Sequence, residues 1–301
     1  MNRAENEASN LRFAAEMGVN EDQSGSALGW LFSQEQIENT PSRRAGMSAG
    51  NEEEARRHGI RLIMDVGLKL NWAANLTVAT AAVYYHRFYM CHAFQEFPNY
   101  LTALGCLFLA GKVEETPKKC RDIALIAKEH YAACLPYQNL VDEIMAMERV
   151  LLQTLKFELH VEHPYRFLIR YARVFDLDRA KIREIIQTAW TFANDCQMST
   201  LCVQWEPQIV AVMLLTLAVK VTNVENLKWR NFNREDRHWW CQFVQNLPEE
   251  MVQAEGEKVL QSYSGPPDRH LSQMMLYIFR VSCITFTALA VPLTDLKVIR
   301  S

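Results

Sequence analysis

The residues whose types and spacing could do chemistry are concentrated in one stretch, Leu107–Cys120, LFLAGKVEETPKKC. Lys112, Glu114 and Glu115 follow directly on an apolar helical run of Leu101, Leu104, Leu107, Phe108 and Ala110, with Gly105 and Gly111 between them. Pro117 prevents that helix from continuing, so a buried helix delivers a charged cluster to its own C-terminal end. A lone carboxylate further on is the natural counterpart. In the segment 141–155, the residues Val141, Met145, Glu148, Leu152 and Leu155 recur at helical spacing and share one face, on which Glu148 is the only charge. A carboxylate isolated in an apolar stripe costs several kcal/mol, so Glu148 should face a cation or lie on a surface that a partner covers. Lys112 is the best candidate cation.

Other chemistry finds little support. The chain has no GxGxxG or phosphate loop, no GxSxG elbow and no HExxH, and none of its eight cysteines and eight histidines is selected as a nucleophile by spacing. His160 with His163, and Cys91 with His92, have no further ligands at a useful distance, so neither a metal nor another cofactor is expected. Trp239-Trp240 and Trp205-Glu206-Pro207 read as packing, and Lys118, Lys119 and Arg121 as a solvated surface. A net charge of −3 and a pI near 6.3 give no global attraction to polyphosphate, which argues against a primary nucleic-acid binder. Cysteines inside apolar helical patterns, with no CxxC pair, suit a reducing compartment. The polar start MNRAENEASN lacks the apolar core of a signal peptide.

The elements that must position Lys112 and Glu148 are helices. Residues 1–29 are polar, without periodicity, and are expected to be disordered. In Trp30–Arg44, Ser33 and Gln36 form a possible capping box for a short helix. Helical segments are expected at roughly 52–70, 76–92, 98–113, 120–132 and 138–156, then at 164–175, 178–196, 206–221, 234–246 and 248–263, with breaks at Asn71–Asn75, Pro98, Pro117 and Pro136. Leu109-Ala110-Gly111-Lys112 recurs as Leu217-Ala218-Val219-Lys220, which suggests two copies of one five-helix unit, although so short a match on common helix residues could arise by chance. After Tyr263 the string SGPPDRH is a break, followed by an apolar tail. Its run 281–293 is too short for a comfortable bilayer span, so no membrane partner is expected. The expected division is 1–29, a first unit at 30–160, a second at 161–264, and a linker with an atypical tail at 265–301.

Three strings carry a resemblance. AGKVEETPKK at 110–119, MERVLLQTLKFELHVEHPY at 147–165 and YYHRFYM at 84–90 resemble the cyclin box, and Trp30–Arg44 resembles the N-terminal helix of the transcription-type branch, its K members before its T members. The resemblance implies an all-α fold of two tandem five-helix cyclin boxes with a short N-terminal helix. It also implies a non-catalytic activating subunit. Lys112 and Glu148 would form the centre of a kinase-binding surface, with Glu115, Leu152, Phe157 and Leu159 around them; the positions of Phe157 and Leu159 pack on the kinase's mobile helix in the family. The partner would be a cyclin-dependent kinase of the twelve or thirteen type, or alternatively the nine type, acting in the nucleus on the C-terminal repeats of RNA polymerase II. Two departures from the cell-cycle branch favour this one. His86 stands where those cyclins usually carry Asp, and Ala55-Arg56-Arg57-His58-Gly59 replaces their apolar MRAIL docking helix. Arg87 within YYHRFYM needs acceptors if buried, and Glu115 is one candidate. A rival reading, a DNA-bound scaffold such as transcription factor IIB, would need a zinc ribbon and a basic face, which this acidic sequence does not offer.

Overall fold

The computed structural model describes residues 29–72, 76–230 and 237–261. The expected disordered start, the break after Tyr263, the apolar tail and Cys283 lie outside these residues. Among the described residues the chain is helical, and the one extended pairing is an isolated bridge between Phe175 and Trp229.

Local chemistry sets where the helices begin. The expected capping box is present: Ser33 accepts from the Gln36 backbone and the Gln36 side chain accepts from the Ser33 N–H, opening α1, Gln34–Glu38. Thr40 caps α2, Pro41–Arg44, with Pro41 in the first turn, where its missing donor is harmless. Ser48 caps α3, Ala49–Lys69, and so starts it three residues earlier than its apolar periodicity suggests. The first bundle continues with α4 (Thr77–Cys91), α5 (Asn99–Val113), α6 (Cys120–Tyr131) and α7 (Leu140–Thr154).

Helix α5 is the axis of this bundle. Every residue from Leu101 to Gly111 is buried, and α3, α4 and α7 pack around it. Gly105 makes the approach of α7 possible: a Cβ there would lie 2.7 Å from Met147 Cγ and 3.0 Å from Leu151 Cδ1.

The second bundle comprises α8 (Tyr165–Ala172), α9 (Arg179–Asp195), α10 (Pro207–Val221) and α11 (Glu249–Gln261), with α10 as its buried axis. Helix α8 is shorter than its apolar pattern. The chain leaves the helix to pair with 228–230, where Asp176 N–H donates to the Lys228 carbonyl (2.8 Å) and Arg230 N–H to the Val174 carbonyl (2.7 Å). The helix expected over 234–246 is not found among the described residues of that span, which hold instead a 3₁₀ turn, Trp239–Gln242. Trp239 and Trp240 are both buried, with their rings edge to face. Both indoles belong to the second core, as packing residues should.

The suspected internal repeat is visible in the backbone. Both α5 and α10 are 15 residues long and end in the same Schellman motif. After α5, Glu115 N–H donates to the Lys112 carbonyl and Thr116 N–H to the Gly111 carbonyl; after α10, Asn223 and Val224 do the same to Lys220 and Val219. Glu115 (φ 54°) and Asn223 (φ 52°) occupy the left-handed position.

The bundles are joined at α4 through buried polar contacts. Arg56 donates to Glu52 (2.7 Å) and to the Tyr89 carbonyl (3.0 Å), and its Nη1 lies 3.4 Å from His86 Nδ1. Glu52 also accepts from Thr40 (2.8 Å) and Arg43 (2.9 Å). Glu52 thus supplies the carboxylate that the buried Arg56 guanidinium needs. His86 is freed to bridge to the second bundle, its Nε2 donating to the Gln197 carbonyl at 2.9 Å. Burial, and then Arg56, push the His86 pKa down to about 3, so the ring is neutral and its Nδ1 can accept from Arg56.

Candidate functional site: a charged pair in an exposed apolar surface

The C-terminal end of α5 sorts its charges. Thr80 Oγ1 donates to Glu114 Oε1 (2.7 Å), drawing that carboxylate back toward α4, and Glu115 is exposed in its left-handed cap position. Lys112 turns the other way. Its Nζ donates to both oxygens of Glu148, at 2.7 and 2.8 Å, and lies 4.1 Å from the centroid of the Phe108 ring. The Glu148 side chain is 12% exposed and that of Lys112 46%. Beside it the Cys120 thiol, half-buried on α6, has its pKa raised by burial and then by Glu148.

The apolar stripe around Glu148 divides differently from the sequence expectation. The core face of α7 is Leu140, Ile144, Met147 and Leu151, continued by Leu155, which is fully buried just after the helix. Leu155 therefore belongs to the core and not to the face of Glu148. The remaining members face outward: Met145 is 44% exposed, and Val141 and Leu152 are half-buried against the core. Glu148 thus satisfies both halves of the sequence argument, with a cation in contact and a partly exposed apolar face around it.

The turn after α7 extends this surface. Lys156 (φ 52°) and Phe157 (φ 60°) are both left-handed, an uncommon succession for residues with side chains. The turn is held by the Phe157 N–H donating to the Leu152 carbonyl (3.1 Å) and by Tyr84 Oη donating to the Leu159 carbonyl (2.5 Å). Phe157 is thereby held 68% exposed, whereas Leu159 is half-buried against the first core. Two successive left-handed residues thus hold an aromatic side chain out in water.

Arg87 does not meet Glu115. Its guanidinium lies 5.3 Å from the Trp30 ring centroid, and Trp30 in turn donates to Glu158 at 2.8 Å. The carboxylate expected there is replaced by the indole that folds back from the N-terminal segment. Two apolar side chains stand exposed that were not expected to: Met145, within the Glu148 stripe, and Leu125 on α6, which is 70% exposed beside the buried Ile123, Ala124 and Ala127 of the same helix. A leucine off the periodic face of an amphipathic helix was the available signal for the latter.

The internal repeat provides a control. Lys220, at the position in α10 that Lys112 holds in α5, approaches Glu257 of α11 only to 4.0 Å, with both side chains largely exposed. Among the described side chains on the outer side of α11, Gln253, Ala254 and Lys258 neighbour Glu257. The second bundle keeps the cation and the carboxylate but holds them 4.0 Å apart, with Val221 45% exposed beside Lys220.

At the Ala55–Gly59 positions Arg56 is buried in its ion network, Arg57 pairs with Glu53, and His58 lies 3.9 Å from Glu54. No apolar docking patch is formed by these five residues.

The structure thus consists of two packed helical bundles with a charged pair set in a partly exposed apolar face of the first. Residues 29–160 match the family described as cyclin, N-terminal domain, and the chain belongs to the cyclin family. Over 238 residues it is 43% identical to cyclin-K of Homo sapiens, covering 78% of this chain and 41% of that protein. Over 258 residues it is 34% identical to cyclin-T2 of Mus musculus, covering 81% of this chain and 34% of that protein. The chain thus spans roughly two fifths and one third of the lengths of these relatives. Among solved structures it is similar in fold to a chain of the yeast RNA Pol II CTD kinase CTDK-1 complex, with a TM-score of 0.57 at 19% identity, covering 81% of this chain and 88% of that one.

Proposed function

We propose that this chain is the non-catalytic activating subunit of a cyclin-dependent kinase that acts in transcription, and that it binds the kinase through the surface centred on Lys112 and Glu148. The observation that carries this reading is the Lys112–Glu148 pair, closed at 2.7 Å with Met145 and Phe157 exposed on the same helix and the turn after it, whereas Lys220 and Glu257 in the second bundle stand 4.0 Å apart. On that surface Phe157 and Met145 supply apolar area, Leu152 and Leu159 its packed floor, and Glu115 a charge at its rim. Docked against the kinase's αC helix, the surface would hold that helix where its Glu meets the ATP-binding Lys; the kinase performs the phosphoryl transfer and the cyclin contributes binding energy.

The similarity to cyclin-K favours a kinase of the twelve or thirteen type, working in the nucleus on the C-terminal repeats of RNA polymerase II. The similarity to cyclin-T2 supports the nine type as the second reading. The test is reconstitution of the full chain with each purified kinase and measurement of phosphate transfer to a polymerase C-terminal repeat peptide. Activation of the twelve or thirteen type well above the kinase alone is expected. Activation of the nine type alone would select the second reading, and activation of none would overturn the proposal.

A further inference from the structure

Helix α8 is strongly two-sided. Tyr165, Phe167, Leu168, Tyr171 and Ala172 are buried, and Arg166, Arg170 and Arg173 are exposed on the other side. Spacings of four and three put the arginines on one face, with about 10 Å of helix axis between the first and the last. Burial raises the Tyr171 phenol pKa, and Arg170 and then Arg166 oppose that rise, so both guanidinium groups lie toward the same ring.

The extended pairing that follows the helix lengthens this stripe. Residues alternate sides there: Phe175 is fully buried and Trp229 half-buried, while Lys228 and Arg230 are exposed. Arg230 N–H donates at 2.7 Å to the carbonyl of Val174, the residue after Arg173, so the backbone sets Arg230 beside the end of the arginine row. The acids that meet these five cations are Glu162, paired with Arg166, and Asp176, 3.6 Å from Arg230. Pairs exposed in this way are worth up to about 1 kcal/mol, so a more highly charged ligand can displace them. Arg170 and Arg173 form no ion pair with a described residue. In a chain of net charge −3, so concentrated a positive stripe is a local feature and not a background.

We propose that this stripe binds a polypeptide segment carrying two phosphorylated side chains three residues apart. A phosphoserine brings about two negative charges and three acceptor oxygens to an arginine fork, whereas a carboxylate at an exposed arginine gains little. Three residues of extended chain span about 10 Å, which is the axial distance from Arg166 to Arg173. One phosphate then lies between Arg166 and Arg170, and the other between Arg173 and Arg230. Other polyanions fit less well. The rings of Phe167, Tyr171 and Phe175 are buried, so the stripe has no platform on which nucleic-acid bases could stack. No large apolar side chain of α8 or of residues 228–230 is among the exposed ones, so nothing there would enter a membrane surface. The stripe belongs to the second bundle, apart from the Lys112–Glu148 surface of the first, and does not depend on the kinase reading.

The test is fluorescence anisotropy of the full chain with a labelled Gly-Ser-Ala peptide that carries two phosphoserines three residues apart. The same peptide without phosphate and an oligouridylate of equal charge are titrated beside it. The phosphorylated peptide should bind at least about tenfold more tightly than its unphosphorylated form, and its affinity should fall as salt rises. Arg170→Gln/Arg173→Gln should lower that affinity about tenfold. Both side chains are exposed, so this variant should stay folded, which circular dichroism melting checks. Lys118→Gln/Lys119→Gln removes the same charge from the first bundle and should bind as the unchanged chain does. Binding indifferent to phosphate, equal losses in the two double variants, or tighter binding of the oligouridylate through the same arginines would overturn the proposal.

Discussion

Phe157 separates docking from folding more cleanly than any other side chain of the surface. It is 68% exposed, so its truncation removes little from the core. Phe157→Ala is expected to change stability by less than about 0.5 kcal/mol and to weaken kinase binding by more than about 1 kcal/mol, as truncation of an aromatic anchor does. Urea denaturation beside a binding titration measures both; equal losses in the two would make Phe157 a structural residue. Its neighbours show what could be read at this scale. Lys112 and Glu148 were legible because Lys112 opens a charged cluster at the end of an apolar helix and Glu148 is a lone charge in an apolar stripe, and such charges need a reason. Leu155 and Arg87 were not. Along α7 the set 140, 144, 147, 151 and the set 141, 145, 148, 152 both satisfy helical spacing, and only packing against α5 decides which of them is core. The partner of Arg87 comes from Trp30, distant in sequence, and no local pattern announces it.

The helices follow the sequence closely where capping and proline decide the outcome and depart from it where tertiary contact does. Ser33, Thr40, Ser48 and Asp178 each cap a helix with a side-chain acceptor, and the charged end of α5 is fixed by its Schellman turn ahead of Pro117. The end of α8 was not legible because the backbone there is claimed by 228–230, and the 3₁₀ turn at Trp239 because two adjacent indoles share one core. The junction of α5 with α7 is the element contact on which the docking surface depends, since it sets the distance from Lys112 to Glu148. Gly105→Val would place side-chain atoms where Met147 and Leu151 already lie. A loss of about 1–3 kcal/mol is expected, read as a lowered melting temperature. Wild-type stability in that variant would mean that α7 can shift without cost, and that the pair is less firmly set than its geometry indicates.

At the scale of the molecule, the two bundles share one plan. Both have a buried axial helix, a left-handed cap and a lysine near its end; in the first that lysine meets a carboxylate at 2.7 Å, and in the second the ion pair opens to 4.0 Å. The tandem all-α architecture was legible from the spacing of helical segments and the repeated Leu-Ala-x-Lys string. The joint between the copies was not, because it consists of buried polar groups, including His86 and His163, whose partners are remote in sequence. That joint makes a pH dependence. Both histidines have pKa values lowered by burial from 6.5, to about 3 and about 4, so the folded state binds fewer protons than the unfolded chain. Their contribution is complete above about pH 6.5 and is lost as the pH falls toward 4, at about 1.4 kcal/mol per pH unit for each histidine. Urea midpoints from pH 7.5 to 5 should therefore fall below pH 6.5, and a flat profile would show that the rings are not held neutral.

The central claim is that the Lys112–Glu148 surface binds a kinase, and it is tested most directly by affinity capture from nuclear extract with the full chain and with Lys112→Ala/Glu148→Ala, the bound kinases being identified by mass spectrometry. The double variant removes both charges of the surface without leaving either one unpaired, and both residues lie at the edge of the core, so it should keep its helical spectrum. Capture of one transcription kinase by the unchanged chain and its loss in the folded double variant is the predicted result. Equal capture of that kinase by both chains, or capture of none by either, would contradict the account.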